Sequence, residues 1–384
     1  MNLELFEQLL SPHGQRMLAL AVELRPTDKT FLPVFERVRK LGSNELAKAA
    51  VEQAILRAKA RTKFPDADRM YFTREALEQS SSRTVANHRA NRFRSFQTVG
   101  DLCCGIGGDA SAFVEVVPHV VAVDRDPLKA RMAAINVPKA SVSVADVLSD
   151  DVPRIDAYFC DPSRRADGKR FLSIEDYHPA PRAVLDRFPG LPAAFKLAPA
   201  VPLDELAAFD GEAEFLSLDG ELKECVLWLN GLQTAKLRAT ALPSGETIAA
   251  EDPDAMPPTG AVRGYIYDPD PSLTRSGLLS NFAIGIGARP IDESIAFLTA
   301  DELHRSPFVT AYEVEEVLPF HPKRVGTWLR ERNVGRITPV KRGSSANVDE
   351  LTKQWKLRGP EHRELLLTRT AGEPVAIVAR RIGS

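Results

Sequence analysis

Asp101-Leu-Cys-Cys-Gly105-Ile-Gly107-Gly108-Asp109-Ala110 decides how this chain is read. It follows Phe96-Gln-Thr-Val-Gly100, which reads as a buried strand, and it leads into Ala110 to Val117, which suits a helix. Glycines at 105, 107 and 108 permit positive φ without a Cβ penalty and let backbone come close to a ligand. The helix start behind them offers free N–H groups to a negative group. Any strand-loop-helix unit can use a Gly-rich turn, so the residues downstream carry the discrimination.

Val120-Val-Ala-Val123 is a second apolar run and ends in Asp124-Arg125-Asp126-Pro127. A carboxylate at that remove from the glycines is placed to accept hydrogen bonds from ribose hydroxyls. Ser141-Val-Ser-Val144 gives a third strand pattern with Asp146 just past its end, and Ile155-Asp-Ala-Tyr-Phe159 a fourth, ending in Cys160-Asp161-Pro162-Ser163-Arg164-Arg165. Ala193 to Leu197 makes a fifth, and Glu214 to Leu218 with Glu224 to Leu229, around Asp219-Gly220, a closing hairpin. Continuously apolar strands fit a mainly parallel sheet covered on both faces. In such sheets ligands lie outside the carboxyl ends of the strands, where Gly105, Asp124, Asp146 and Asp161 all fall.

The order Asp-Leu-x-Cys-Gly-x-Gly, Val-Asp-x-Asp-Pro, Ala-Asp-Val, Asp-Pro-x-Arg resembles the class I S-adenosylmethionine-dependent methyltransferases, over roughly residues 70 to 232. Like them, the chain lacks the full Gly-x-Gly-x-x-Gly spacing of dinucleotide dehydrogenases; Cys103 stands where many members have their first glycine, as in a branch acting on RNA. The resemblance implies an α/β fold, a Rossmann-like seven-stranded methyltransferase sheet, with S-adenosyl-L-methionine held by Asp101, Cys103, Gly105, Gly107, Asp124, Arg125, Asp146 and Val147. It assigns the target pocket to Asp161, Pro162 and Arg164 as catalytic residues, with Arg165 toward the substrate.

The composition, 384 residues at 44% hydrophobic and 27% charged, is that of an ordinary soluble protein with room for two or three domains. No apolar run approaches the roughly 18 residues that span a bilayer, and Met1 to Leu10 alternates apolar and polar residues unlike a signal peptide. The expectation is a cytoplasmic protein with no membrane partner. Cysteines 103, 104, 160 and 225 show no metal-ligand spacing and read as buried thiols, so no metal is expected.

Residues 1–95 read as an N-terminal helical region, with Pro26 and Pro33 as interruptions, Asn44 to Ala60 as a strong helix, and Thr73 and Ser81 or Ser82 as caps. Glu78, Gln79, Arg89 and Arg92, just ahead of the first strand, are candidates to reach the cofactor or substrate. The methyltransferase domain is expected over 96–235 and a connecting region over 236–310, with Thr247 to Gly260 as linker. Residues 311–384 form an α+β domain whose βαβαββ-like pattern resembles the THUMP-like domain of some bacterial methyltransferases. Phe320 to Ser384 holds fourteen Lys/Arg against six Asp/Glu, although the chain's net charge is only −2. That basicity suits a polyanion, and Lys341, Arg342, Lys356 and Arg358 are its candidate substrate-binding residues.

Methylases of exocyclic amines resemble this chain only in part, because their Asp/Asn-Pro-Pro-aromatic is here Asp161-Pro-Ser163-Arg164. The Asp-Pro-x-Arg form is similar to uracil-C5 RNA methyltransferases, yet the loop Lys196-Leu-Ala-Pro199 lacks their cysteine and Cys225 falls inside the closing hairpin. The glycine loop is also similar to that of cap guanine-N2 methyltransferases, which depend on an aromatic absent here. The expectation is direct transfer to a base nitrogen of RNA, tRNA or rRNA, with Arg164 and Arg165 able to clamp a phosphate. A small-molecule or protein substrate, or a non-catalytic RNA-binding module, remain the alternatives.

Overall fold

The structure, a computed structural model, describes residues 1–149, 152–166, 169–170 and 173–383, with backbone only at 165, 166, 169 and 170. It divides into two compact units, Met1–Gly211 with Val226–Thr234, and Glu212–Cys225 with Ala235–Ser384.

The first unit opens with helices α1 (Leu3–Leu10), α2 (Pro12–Glu23), α3 (Phe31–Val38) and α4 (Asn44–Ala60). Pro33 does not interrupt the chain as expected. It sits in the first turn of α3, where a missing N–H goes unneeded. Helix α4 is free of Gly and Pro, and Ser43 caps it by accepting from the Leu46 N–H. Its buried face joins one core with Phe6, Met17, Phe64 and Phe72, and that core also takes in Ile106, Leu128 and Met132. The glycine loop, through Ile106, is therefore packed against the helical region. Helices α5 (Arg74–Gln79) and α6 (Arg83–Asn91) follow, capped by Thr73 and Ser82.

The strands are β1 (Thr98–Leu102), β2 (His119–Asp124), β3 (Ser141–Val144), β4 (Ala157–Cys160), the short pair β5 (Arg165–Ala166) and β6 (Lys169–Arg170), β7 (Ala193–Leu197), β8 (Glu212–Leu218), β9 (Glu221–Leu229), β10 (Leu237–Leu242) and β11 (Glu246–Ala250). Within the first unit the sheet runs β7-β4-β1-β2-β3 among the described residues. Strands β7, β4, β1, β2 and β3 are mutually parallel. From β1 the chain builds outward one way through β2 and β3, then returns to build the other way through β4 and β7. The carboxyl ends of β1 and β4 thus flank a topological switch point, where open α/β sheets bind ligands.

Two local expectations shift. The helix after the glycines, α7 (Ala110–Phe113), stops short of Val117, because Val114, Val116 and Val117 are β-branched and Pro118 follows. Two strands follow the expected hairpin: β10 pairs parallel to β8, and β11 occupies the start of the expected linker, antiparallel to β10. Helices α8 (Pro127–Asn136), α9 (Pro181–Arg187) and α10 (Leu203–Ala207) complete the crossovers.

The second unit, which holds β8, β10, β11 and the first residues of β9, continues with β12 (Tyr265–Pro269), α11 (Pro271–Ser276), α12 (Leu279–Gly285), β13 (Arg289–Asp292) and β14 (Ile295–Ala300). They precede β15 (Val309–Pro319), α13 (Pro322–Glu331), β16 (Val334–Lys341), α14 (Val348–Trp355), β17 (Glu361–Thr370) and β18 (Glu373–Arg381). From β15 onward this is the expected βαβαββ order, within a sheet β13-β14-β12-β15-β18-β17-β16. Alternation along β17 sends Leu365 and Leu367 toward Val325, Leu329 and Trp355 of the helices, and Leu366 toward Ile266 and Phe297 on the other face. No helix among the described residues is long and apolar enough to cross a membrane.

Candidate active site

The glycine loop leaves β1 through three residues of positive φ, Cys103 at 64°, Gly105 at 56° and Gly107 at 83°. Cys103 holds this left-handed conformation with a side chain, the kind of local strain that gathers at functional sites. Hydrogen bonds fix the turn: Cys104 N to Val123 O at 2.9 Å, Gly107 N to Cys104 O at 2.9 Å, and Gly105 N to Oδ2 of Asp124 at 2.8 Å. The glycines do different work. A Cβ at Gly107 would stand 2.8 Å from Val137 Cγ2, whereas one at Gly105 would meet nothing within 4 Å. Gly107 serves packing; Gly105 borders open space where a ligand can lie against backbone.

Beneath the loop Asp101 is 1% exposed, and its Oδ2 accepts from Ala110 N at 2.7 Å. Its Oδ1 is buried with no partner among the described residues. Burial, and then the negative charge of Asp109, push the Asp101 carboxyl well above the usual carboxylate range. Asp109 is itself ion-paired to the fully buried Arg89 of α6, whose guanidinium lies 4.8 Å from the centre of the Phe159 ring. Arg92 lies 4.2 Å over the Trp228 ring and donates to Leu232 O at 3.2 Å. Arg89 is thereby buried within the frame of the unit, and Arg92 is half-buried against Trp228. Glu78 is exposed.

Asp124 ends β2. Its Oδ1 accepts from Asp126 N at 2.9 Å, and Asp126 caps α8 through Leu128 and Lys129. Burial raises the Asp124 carboxyl against the lowering effect of the Asp126 and Gly105 N–H groups. Arg125 is exposed. The end of β3 lies alongside, with Ala145 N donating to Asp124 O at 3.2 Å; Asp146 is exposed and accepts from Leu148 N, while Val147 is buried.

Asp161 follows β4, and its N–H reaches Leu102 O at 3.3 Å. Its Oδ2 is 2.6 Å from Nζ of Lys196, a buried lysine on β7. The same Nζ donates to the Gln79 carbonyl at 3.2 Å. Pro162 is buried, and Ser163 exchanges backbone hydrogen bonds with His178. Arg164 is half-buried, and its Nη1 is buried with no partner among the described residues. Arg165 has its backbone in β5, but its side chain lies outside the described residues. The structure thus gathers Gly105, Asp124, Asp146 and Asp161 at one end of the sheet.

Reading residue types missed Lys196, although a charge within Ala193-Ala-Phe-Lys-Leu197 is a signal. A lysine in a buried strand is expensive unless paired. Burial pushes the thiols of Cys104, Cys160 and Cys225 up, against the lowered values reactive cysteines need, while Cys103 on the glycine loop is half-buried. Among the described residues no group of three or more His, Cys, Asp or Glu side chains is arranged to hold a metal ion.

In the second unit Lys341, Lys356 and Arg358 are exposed and make no ion pair among the described residues. Arg342 differs, being bound to Oδ1 of Asp268 at 2.6 Å and to Pro269 O at 3.2 Å.

Residues 309–381 match a family described as THUMP domain-like, and residues 2–60 a domain of unknown function. An uncharacterized S-adenosylmethionine-dependent methyltransferase of Mycobacterium tuberculosis is 33% identical over 350 residues, covering 87% of this chain and 92% of that protein. Its counterpart in a second strain of that organism matches equally. This chain belongs to the S-adenosylmethionine-dependent methyltransferases. The crystal structure of a candidate methyltransferase from Porphyromonas gingivalis shares the fold, at TM-score 0.76 and 22% identity, over 96% of this chain and 99% of that one. The methyltransferase's cofactor is S-adenosylmethionine, and the residues fit it. The space above Gly105 admits a ligand against backbone, and the Asp124 carboxylate stands at the adjacent strand end.

Proposed function

We propose that this methyltransferase acts on RNA and passes the methyl group directly to a base nitrogen. The observation that carries the RNA half is the THUMP domain-like segment, with Lys341, Lys356 and Arg358 exposed and outside any ion pair among the described residues. Such cations attract phosphate and release counterions on binding. The nitrogen half rests on the pocket. Asp161 offers a carboxylate oxygen to an N–H donor, and the end of β7 with the loop after it, Lys196-Leu-Ala-Pro199, carries no cysteine to attack a ring carbon.

Gly105 and Gly107 would shape the turn beside the methionine and ribose portions, Asp124 would take the ribose hydroxyls, and Asp146 with Val147 would border the adenine. Asp101 and Cys103 act through the loop they hold, and Arg125 flanks it. Bound there, S-adenosylmethionine supplies an electrophilic methyl group. Asp161 and Pro162 orient the base, Arg164 offers its Nη1 to a phosphate or base oxygen, and Arg165 follows in the same segment. Holding the nucleophile in line with the methyl group supplies much of the rate.

The test incubates total RNA from cells lacking the protein with purified enzyme and radiolabelled cofactor, followed by nucleoside analysis. Label in an N-methylated nucleoside is the expected result. Label confined to protein or small molecules would move the substrate elsewhere.

A further inference from the structure

The lysine on β7 is the most unusual buried group near the pocket. Lys196 is 4% exposed, yet it sits in a strand whose other residues, Ala193, Ala194, Phe195 and Leu197, are all apolar and buried. A charge so placed must be compensated by partners. Two are present. Oδ2 of Asp161 lies at 2.6 Å and the Gln79 carbonyl at 3.2 Å. The two partners belong to different elements: Asp161 follows β4, and Gln79 is the last residue of α5.

The end of α5 is held from its other side as well. Nζ of Lys63 donates to the carbonyls of Leu77 at 2.7 Å, Glu78 at 3.1 Å and Ser80 at 2.8 Å. Ser80 in turn borders the glycine loop, since a Cβ at Gly108 would stand 3.7 Å from its Cβ and Oγ. The turn at 77–80 therefore lies against the glycine loop, with its carbonyls taken by two ammonium groups. One of those groups, Lys196, also holds the carboxylate of the Asp-Pro-Ser-Arg segment.

We infer that Lys196 is a positioning residue for methyl transfer: it fixes Asp161 with one oxygen and ties it to the α5 turn that borders the glycine loop. This rests on the reading of Asp161 as a target-pocket residue. The consequence for Asp161 is chemical. Oδ2 is held by Lys196, whereas Oδ1 has no hydrogen-bond partner among the described residues. A carboxylate so fixed aims its unengaged oxygen in one direction. It orients an N–H of the nucleophile so that the nitrogen lone pair faces the methyl carbon. As the N–C bond forms, the C–S electron pair goes to sulfur, and the surplus proton on nitrogen passes to solvent. Asp161 is thereby an orienting acceptor whose aim depends on the lysine, and loss of the lysine loosens both the carboxylate and the α5 turn.

The experiment compares the full chain with Lys196→Met, Lys196→Arg and Asp161→Ala. Calorimetry with S-adenosylmethionine should give Lys196→Met an affinity within about twofold of wild type, because the ribose and loop contacts remain. Backbone hydrogen exchange over residues 77–80 and 161–164 should quicken by about tenfold or more, with α2 unchanged as internal reference. On total RNA from cells lacking the protein, kcat should fall about tenfold or more with little change in the KM for cofactor, and Lys196→Arg should recover most of the loss. Wild-type exchange in both segments of Lys196→Met would overturn the tie, whatever the activity. Wild-type kcat in Lys196→Met beside an inactive Asp161→Ala would overturn its role in transfer. Full activity in Asp161→Ala would instead sink the reading of Asp161, with the exchange data still deciding the tie. Should Lys196→Met not fold, Asp161→Ala carries the test from the other side. It removes one of the lysine's two partners and leaves its buried ammonium half-compensated, and unchanged exchange at 77–80 would overturn the inference.

Discussion

The N–H of Gly105 donates to Oδ2 of Asp124 across 2.8 Å, so the tip of the glycine loop is fastened to the end of the neighbouring strand. The carboxylate that is proposed to hold the ribose also sets the backbone that borders the rest of the ligand. Asp124→Ala removes both effects. A hydrogen bond to a charged group contributes about 1.5–3 kcal/mol, so cofactor affinity should fall by about 10- to 150-fold. Calorimetry checks this; an unchanged affinity would show that the loop needs no such anchor.

Gly105 and Gly107 should respond differently to alanine. Both have positive φ, which costs a side chain about 1–2 kcal/mol. At Gly107 the new Cβ also meets Val137 Cγ2 at 2.8 Å, while at Gly105 it enters open space. Gly107→Ala is expected to be the less stable protein in urea titration. Gly105→Ala should fold nearly as wild type but bind S-adenosylmethionine at least tenfold more weakly, because its methyl occupies the ligand's approach.

Much of this site could be read from sequence because its parts are contiguous. Asp101 to Asp109 announces a strand, a turn and a helix start, and each later carboxylate follows a short apolar run that can only be a strand end. The order of β15 to β18 was legible for the same reason, since α13 begins at Pro322 and α14 just after Asn347, and each ends before a new strand pattern. Contacts that join distant segments were hidden. Lys196 meets Asp161 across 35 positions and Gln79 across 117, and no local pattern encodes such a pairing. Arg89 looked available to a ligand because it lies just ahead of the first strand, yet tertiary packing against Asp109 and Phe159 buries it completely. The two extra strands escaped notice because Leu237 to Leu242 and Glu246 to Ala250 are short and weakly alternating.

Arg89 and Asp109 form a buried ion pair next to the loop, so removing one partner strands the other. Arg89→Met should destabilise the protein by about 3–5 kcal/mol, measured by urea titration. Replacing both, as Arg89→Met with Asp109→Leu, should restore a good part of that loss, since no uncompensated charge remains. A single variant as stable as wild type would show that Asp109 finds another partner.

Asp101 gives the fold a pH dependence of definite sign. Its carboxyl is raised in the folded protein from an ordinary value of 3.8, mainly by burial and then by Asp109. Between that ordinary value and the raised one, the folded chain keeps a proton that the unfolded chain has released. Stability contributed by this group is therefore full below the ordinary value and declines as pH rises through the window. Asparagine cannot titrate and still accepts from Ala110 N. The stability of Asp101→Asn relative to wild type should then improve by about 1.4 kcal/mol for each pH unit across the window, followed by thermal unfolding from about pH 4.5 to 7.5. A gap that stays constant with pH would mean that Asp101 is ionised when folded.

The four candidate basic residues of the second unit separate into three exposed to meet phosphate and one committed to the fold. Arg342 is bound to Asp268 and Pro269, so Arg342→Ala should lower thermal stability more than any other of the four. Lys341, Lys356 and Arg358 are exposed without ion pairs among the described residues, so their alanine variants should fold normally. Each phosphate that is no longer neutralised flattens the slope of log K against log salt by about 0.7–0.9. The triple alanine variant is therefore expected to bind tRNA more weakly and with a slope flatter by about 2–3 between roughly 50 and 200 mM salt. Fluorescence anisotropy on labelled tRNA at several salt concentrations measures both. Equal slopes for the triple variant and wild type would place the RNA-binding surface elsewhere on the molecule.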